Sequence, residues 1–344
     1  MDRPVTRYAT TEDDVHIAYQ VLGNGPIDVV FVHAFVSHVE LFWELPSYAR
    51  FIRELSSWGR AIMFDKRGVG LSDRLSVVPT LEARIDDLRA VLDAVESERT
   101  LLVGNSDGGA LAAMFAATYP ERTLGLVLWS GGVRVAWAPD YPWGMREELF
   151  EERLSTRMEL WGDEERGEET VRMTFETGKR LAKDSAFVEG LPRLQRNSAA
   201  PGDLVRFSRV WFSTDARSAL PAIQVPTAVF MREGWATVLV EEARWTADQI
   251  PGARLIILSG DEDDAYLGDV VEVAGAVRRF AEAIEEEHAA FDRVLATVLF
   301  TDIVGSSERA AALGDRAWKG LVQNHHSKVR ALLGRFRGHE VDTA

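Results

Sequence analysis

The chain has 344 residues, 46% hydrophobic and 27% charged, a balance that fits a globular protein with one large domain and room for a smaller piece. A formal net charge of −15 argues against nucleic acid and anionic membrane surfaces as partners, and the lack of cysteine excludes disulfides, thiolate catalysis and Cys-based zinc sites. No apolar run is long enough to span a bilayer and the amino terminus lacks the layout of a signal peptide, so the expected location is the cytoplasm.

In chain order, residues 15–21 alternate as a strand and close in a turn at Gly23, Asn24, Gly25 and Pro26. Residues 27–32 are a continuous apolar run of the kind covered on both faces of a parallel sheet. The run leads into His33, Ala34 and Phe35, then a helical stretch over 48–55. Another buried strand, 61–64, ends in D-x-R-G-x-G-x-S-D from Asp65 to Asp73, where Arg67 suits a salt bridge or cap. Helical spacing over 81–95 precedes a third apolar run at 101–103. G-x-S-x-G follows at once on Gly104, Ser106 and Gly108, then a small-residue helix over 110–117. Residues 124–129 form a further strand. Strand and helix alternate throughout, which predicts an α/β fold with a doubly wound, mostly parallel sheet.

The stretch around Ser106 carries the chemistry. A sharp strand-to-helix turn needs small residues two positions either side of the serine. It lifts the hydroxyl to the head of a helix, where backbone N–H groups favour developing negative charge.

From residue 137 to about 220 the pattern changes to charged, amphipathic helical stretches at 147–161, 168–182 and 204–212. Trp137, Trp143, Trp161, Phe175, Trp211 and Phe212 are available to line a cavity for a small apolar ligand, although such spacing more often marks core. The sheet resumes at 225–231 and 254–258. The loop after the second of these contains Asp261, Glu262, Asp263 and Asp264, which suit a solvated loop better than a calcium site. A helix over 270–280 runs into a charged helical connector, 281–292. A new strand pattern follows from 294 through Asp302 and Ile303. After it comes an amphipathic helix bearing Trp318, Leu321 and Phe336, on which the adjacent His325 and His326 face apart.

Residues 1–280 resemble an α/β-hydrolase, on the strength of His33-Ala34, the Asp65 to Asp73 motif and the serine turn. The resemblance implies a helical cap over about 137–220 and no cofactor. It also implies Ser106 as nucleophile and an oxyanion hole made by the N–H groups of Phe35 and Asp107. In that family the triad acid falls where this chain has Trp235, and the triad histidine where it has Asp263. No histidine occurs between His38 and His288, and His33 and His38 lie on the oxyanion side. A serine hydroxyl is a weak nucleophile without a base, and a carboxylate is a far weaker base than imidazole. The expectation is therefore a pseudo-hydrolase with a vestigial Ser106. A serine esterase using Ser106 with an unrecognised base is the alternative.

Residues 293–344 resemble the start of a class III adenylate/guanylate cyclase catalytic domain, through the string from Val294 to Ser307. The resemblance implies an incomplete α+β fragment in which Asp302 and the carbonyl of Ile303 belong to a magnesium or manganese site. The second metal aspartate falls beyond Ala344, so the site would be complete only in a longer, homodimeric cyclase. On this reading the hydrolase-like domain is a ligand-sensing regulatory module in cyclic nucleotide signalling.

Overall fold

The computed structural model describes residues 3–75, 77–129, 132–175, 178–234, 240–292 and 304–335. They form two compact units, Met1–Ala290 and Phe291–Ala344.

The first unit is built on an eight-stranded sheet of order β1-β2-β4-β3-β5-β6-β7-β8. Its strands are β1 (Arg7–Thr10), β2 (His16–Leu22), β3 (Ile27–Val32), β4 (Gly59–Phe64), β5 (Thr100–Asn105), β6 (Thr123–Trp129), β7 (Thr227–Arg232) and β8 (Arg254–Leu258). β1 pairs with β2 and β2 with β4 antiparallel, and every other pairing is parallel. The central strands β5, β6 and β7 are buried along their whole length, as their continuous apolar runs require.

Helices cover both faces and make a core on each. α1 (Pro46–Ser56) starts with proline at its first position and buries Tyr48, Phe51, Ile52 and Leu55, one face at helical spacing. α2 (Leu81–Ala94) is capped by Thr80, whose side chain accepts from the Ala83 N–H at 3.3 Å. α3 (Asp107–Thr118) follows β5 directly and is almost wholly buried, its glycines and alanines letting it lie close against the sheet.

Between β6 and β7 the chain leaves the sheet for the cap. Its helices are α4 (Glu147–Leu160), α5 (Gly167–Thr174), α6 (Gly178–Leu181), α7 (Ser185–Ser198) and α8 (Pro201–Ser213). The helix expected over 168–182 is thus two pieces, broken after Thr174. α7 has no counterpart in the sequence reading, because Gly190 and Pro192 inside it argue against helix. Arg74 fastens the cap to the sheet. Its guanidinium donates to the carbonyls of Gly68 (2.9 Å) and Gly70 (3.1 Å) on one side, and of Asn197 (2.9 Å) and Ser198 (2.6 Å) on the other. The Gly70 N–H adds a bond to the Ser198 carbonyl at 3.0 Å.

After the cap, α9 (Val240–Asp248) links β7 to β8, and α10 (Val270–Asp292) follows the acidic loop. In the second unit α11 (Ser306–Arg335) is kinked at Gly314, which sits at φ 74° and ψ 158°. Residues 293–303, including the expected strand, Asp302 and Ile303, lie outside the described residues. No helix among the described residues is long and apolar enough to cross a membrane.

Two glycine substitutions separate crowding from helix propensity. A Cβ at Gly108 would stand 2.0 Å from the Val32 carbonyl oxygen, whereas nothing lies within 4 Å of one at Gly202. Gly108→Ala should cost about 3 kcal/mol or more, in the class of backbone overpacking. Gly202→Ala, in an exposed helix, should be neutral or stabilising by about 0.5 kcal/mol. Urea denaturation of the two variants would test both.

Candidate active site

β5 ends at Asn105 and α3 begins at Asp107, so Ser106 must turn the chain alone. It adopts φ 55° and ψ −129°, a strained conformation for a side-chain-bearing residue. Three glycines make room for it. A Cβ at Gly104 would meet the Gly109 Cα at 2.7 Å, and one at Gly132 would meet the Ser106 carbonyl oxygen at 2.3 Å. The third, Gly108, lets the start of α3 press against the end of β3. This is the strand–turn–helix geometry expected of G-x-S-x-G, and Ser106 faces a cavity of about 730 Å³.

Phe35 and Asp107 also line that cavity. Among the described residues, neither of their N–H groups is bonded to another backbone carbonyl. The Asp107 carboxylate points into a buried ionic cluster that sequence reasoning missed. Lys66 Nζ donates to Asp107 Oδ2 at 2.9 Å and to the His33 carbonyl at 2.8 Å, while Arg84 lies 3.8 Å from the same Oδ2. Behind it Arg67 pairs with Asp87 at 2.6 Å and with Asp13 at 2.8 Å, the structural role read from the motif. Burial pushes the Asp87 carboxyl up to about 6, against the pull of Arg67.

The loop after β8 also contributes to the cavity wall. Asp263 and Asp264 both line the cavity. Asp264 is fixed at both oxygens, by Asn105 Nδ2 at 2.5 Å and by the Tyr266 hydroxyl at 3.0 Å. The Asn105 side chain also accepts from the Ala265 N–H at 3.1 Å, and Trp129 Nε1 donates to the Asp263 carbonyl at 2.7 Å. The residue next to the serine in sequence therefore holds this loop in place. Burial raises the Asp264 carboxyl above the usual carboxylate range, with Asn105, Tyr266 and Arg157 opposing. The loop is not a solvated acidic patch. Glu262 pairs with Arg232 at 3.0 Å, Asp261 with Arg180 at 2.8 Å, and Arg180 reaches Glu262 as well. Among the described residues, no group of three or more His, Cys, Asp or Glu side chains is disposed to hold a metal ion. Trp235 lies outside the described residues.

The two nearby histidines are occupied elsewhere. His33 is buried, stacked on Phe42 with ring centroids 4.6 Å apart and 3.0 Å from the Tyr48 hydroxyl. Burial, then Lys66, lowers its pKa to about 3, far too low for a base at neutral pH. His38 accepts from the Leu41 N–H at 3.4 Å and is likewise lowered by burial. Neither lines the cavity.

Of the aromatics singled out in the sequence, Trp143, Phe175 and Trp211 line the cavity. Trp161 bonds the Ala199 carbonyl, Phe212 stacks on Phe150, and Trp137 lies under the Arg146 guanidinium. Sequence reasoning also missed the cavity's cations. Arg153 and Arg157, one turn apart on α4, join Arg134 and Arg146 in its wall. Opposite charge comes also from Glu242 of α9, which receives the Tyr141 hydroxyl at 2.5 Å.

An eight-stranded α/β sheet with a serine elbow under a helical cap defines a class. The α/β-hydrolase fold model matches residues 29–267, more than half of the chain, and the protein belongs to that family. A 2-hydroxy-6-oxononadienedioate/2-hydroxy-6-oxononatrienedioate hydrolase of Paraburkholderia phymatum is 36% identical over 128 residues, which are 35% of this chain and 41% of that protein. A 2-hydroxymuconate semialdehyde hydrolase of Pseudomonas is 38% identical over 104 residues, 29% of this chain and 37% of the relative. The chain thus spans less than half the length of these relatives. Among solved structures, an esterase from Exiguobacterium antarcticum superposes with a TM-score of 0.65 at 16% identity, over 81% of this chain and all of the esterase, a likeness of fold alone.

These relatives carry the names of hydrolases, which corrects two expectations from the sequence. The reading as a pseudo-hydrolase fails, because it inferred a lost function from two departures from the triad, at Trp235 and Asp263, while the relatives are hydrolases and the elbow and cavity persist. The reading as part of a class III adenylate cyclase in cyclic nucleotide signalling fails too. It rested on one strand-and-turn string, whereas the relatives and the structural likeness belong to hydrolases and esterases.

Glu242 gives the site a measurable pH signature. Burial pushes its carboxyl up from 4.5 to about 7, with the Tyr141 hydrogen bond opposing. Between those values the folded protein keeps a proton that the unfolded chain releases, so stability falls as pH rises through this window, by about 3 kcal/mol. Because His33 and Asp87 also change stability in this window, the contribution is read as a difference: the stability of wild type relative to Glu242→Gln, from urea midpoints between about pH 4.5 and 7.5, should fall as pH rises.

Proposed function

We propose that this chain is a serine-type hydrolase acting on a carbonyl substrate with an apolar body and an acidic end. The observation that carries the reading is the strained turn that presents Ser106 to the capped cavity, with Asp264 fixed opposite by Asn105. Ser106 Oγ attacks the carbonyl carbon, and its proton passes to a carboxylate of the loop after β8. Asp264 is the better suited of the two. Burial has moved its affinity for a proton upward, toward that of a working base. The N–H groups of Phe35 and Asp107 receive the developing oxyanion. The carboxylate then returns the proton to the leaving group, and water releases the acyl group by the same route. No cofactor enters the scheme.

The acidic end is supported by Arg153 and Arg157, which stand one helical turn apart in the cavity wall and repel each other. The Paraburkholderia relative is named for a dioate substrate, in keeping with a cationic pocket. The expected apolar ligand is thereby refined to an apolar acid.

Hydrolysis of 4-nitrophenyl butyrate and of 4-nitrophenyl hydrogen succinate tests this reading. Wild-type protein should turn over both faster than Ser106→Ala, with the succinate ester showing the lower KM. Asp264→Asn should lose about 100-fold in kcat, within the usual range for a general base. The rate should climb with pH through a titration above the ordinary carboxylate range, since only ionised Asp264 accepts the proton. Equal rates for wild type and Ser106→Ala would end the proposal.

A further inference from the structure

From the buried charges beneath the serine turn, we infer that Lys66 is a positioning residue that holds the two halves of the oxyanion hole in register and neutralises the carboxylate beside them. The inference rests on the reading of Ser106 as nucleophile.

The two N–H groups of the hole come from distant parts of the chain. One follows β3, at Phe35, and the other opens α3, at Asp107. The pairing of β3 with β5 and the backbone contact of Gly108 with Val32 bring the two segments together, and side-chain contacts settle how the loops beyond them lie. Lys66 stands at the end of β4 and reaches both segments. One hydrogen bond goes to the His33 carbonyl, two residues before Phe35, at 2.8 Å, and the other to the side chain of Asp107 itself at 2.9 Å. Both partners of the ion pair are 4% exposed, so water cannot substitute for either bond.

Charge makes the second half of the case. A carboxylate on the residue that follows the nucleophile opposes an oxyanion forming at that residue's own N–H. Lys66, with Arg84 at 3.8 Å, supplies the compensating positive charge. Among the described residues, Asp107 Oδ1 has no hydrogen-bond partner, so the orientation of the carboxylate depends on its Oδ2 contacts. A buried ion pair is a weak source of stability, because desolvation offsets most of the attraction. What this pair contributes is geometry and charge balance at the hole.

The test uses the full chain and two probes. Ester kinetics give kcat and KM. The dissociation constant of butylboronic acid reports the hole independently of turnover, because boron bonds the serine oxygen as a tetrahedral adduct while the hydroxyl proton leaves to solvent. Lys66→Met and Lys66→Met/Asp107→Leu should each lower kcat about 10- to 100-fold with KM within about threefold, and weaken boronic acid binding in parallel. If Lys66→Met alone is too unstable, the double variant, with an apolar pair in the same volume, decides the matter. A double variant that folds and keeps wild-type kcat and boronic acid affinity would overturn the inference. So would its failure to fold, since the role would then be stability. Wild-type protein that binds the boronic acid through Ser106 yet hydrolyses no ester would sink the proposed function alone, leaving the affinities to judge Lys66. No boronic acid binding at all would sink both.

Discussion

One tight backbone contact governs the serine turn and what surrounds it. Backbone meets backbone where α3 begins, with the Gly108 Cα pressed so near the Val32 carbonyl that no side chain fits between. That contact fixes the height at which Ser106 leaves β5, and the left-handed turn at Ser106 follows from it. The strain of the turn is maintained because β5 and α3 on either side of it are buried and held by their neighbours. β5 is flanked by β3 and β6 in parallel register, and Asn105 is tied across to the loop after β8. Loosening any of these would let the serine relax into the core.

The cavity above the turn combines features that usually stay apart. Its wall is largely aromatic and aliphatic, yet among the described residues it holds four arginines together with Glu242, Asp263 and Asp264. In such surroundings charges interact more strongly than in water, and each titration depends on its neighbours. A carboxylate in the place of an imidazole changes the character of a serine site. Imidazole is oriented by a third group and becomes a stabilised cation, whereas a carboxyl group becomes neutral on taking a proton. On the proposed mechanism, a site of this kind has to draw more of its rate from the oxyanion donors and from substrate binding, which is why the surroundings of Asp107 carry weight.

Much of this was legible in the sequence. Continuous apolar runs marked the central strands because both faces of the sheet are covered. The serine turn was legible because steric rules leave few residues able to flank it. The Asp65 to Asp73 motif was legible as a scaffold, and Arg67 pairs with Asp87 and Asp13 as a structural cation should. Other features were hidden by locality. Lys66 and Asp107 are 41 positions apart, and nothing local says that they meet. Arg153 and Arg157 read as the solvated face of a charged helix, and only the fold turns that face inward. The acids at 261–264 read as a solvated loop. Arg232, Arg180 and Asn105, which neutralise or fix them, arrive from three other elements. Charges are placed by tertiary structure, while apolar periodicity is written locally.

The four bonds from Arg74 bear on how anything enters or leaves this chamber. By clasping Asn197 and Ser198 on one side and the Gly68–Gly70 turn on the other, that guanidinium rivets the far end of α7 to the sheet. A cap riveted there does not lift away whole. Elsewhere on the cap, α4 and the segment before it leave Leu149 and Trp137 exposed, while Phe150 and Leu154 of the same helix pack with Val69 of the clasped turn. Arg153 and Arg157 of that helix face the cavity. The cover over the serine is therefore tethered at one end to the turn that follows β4.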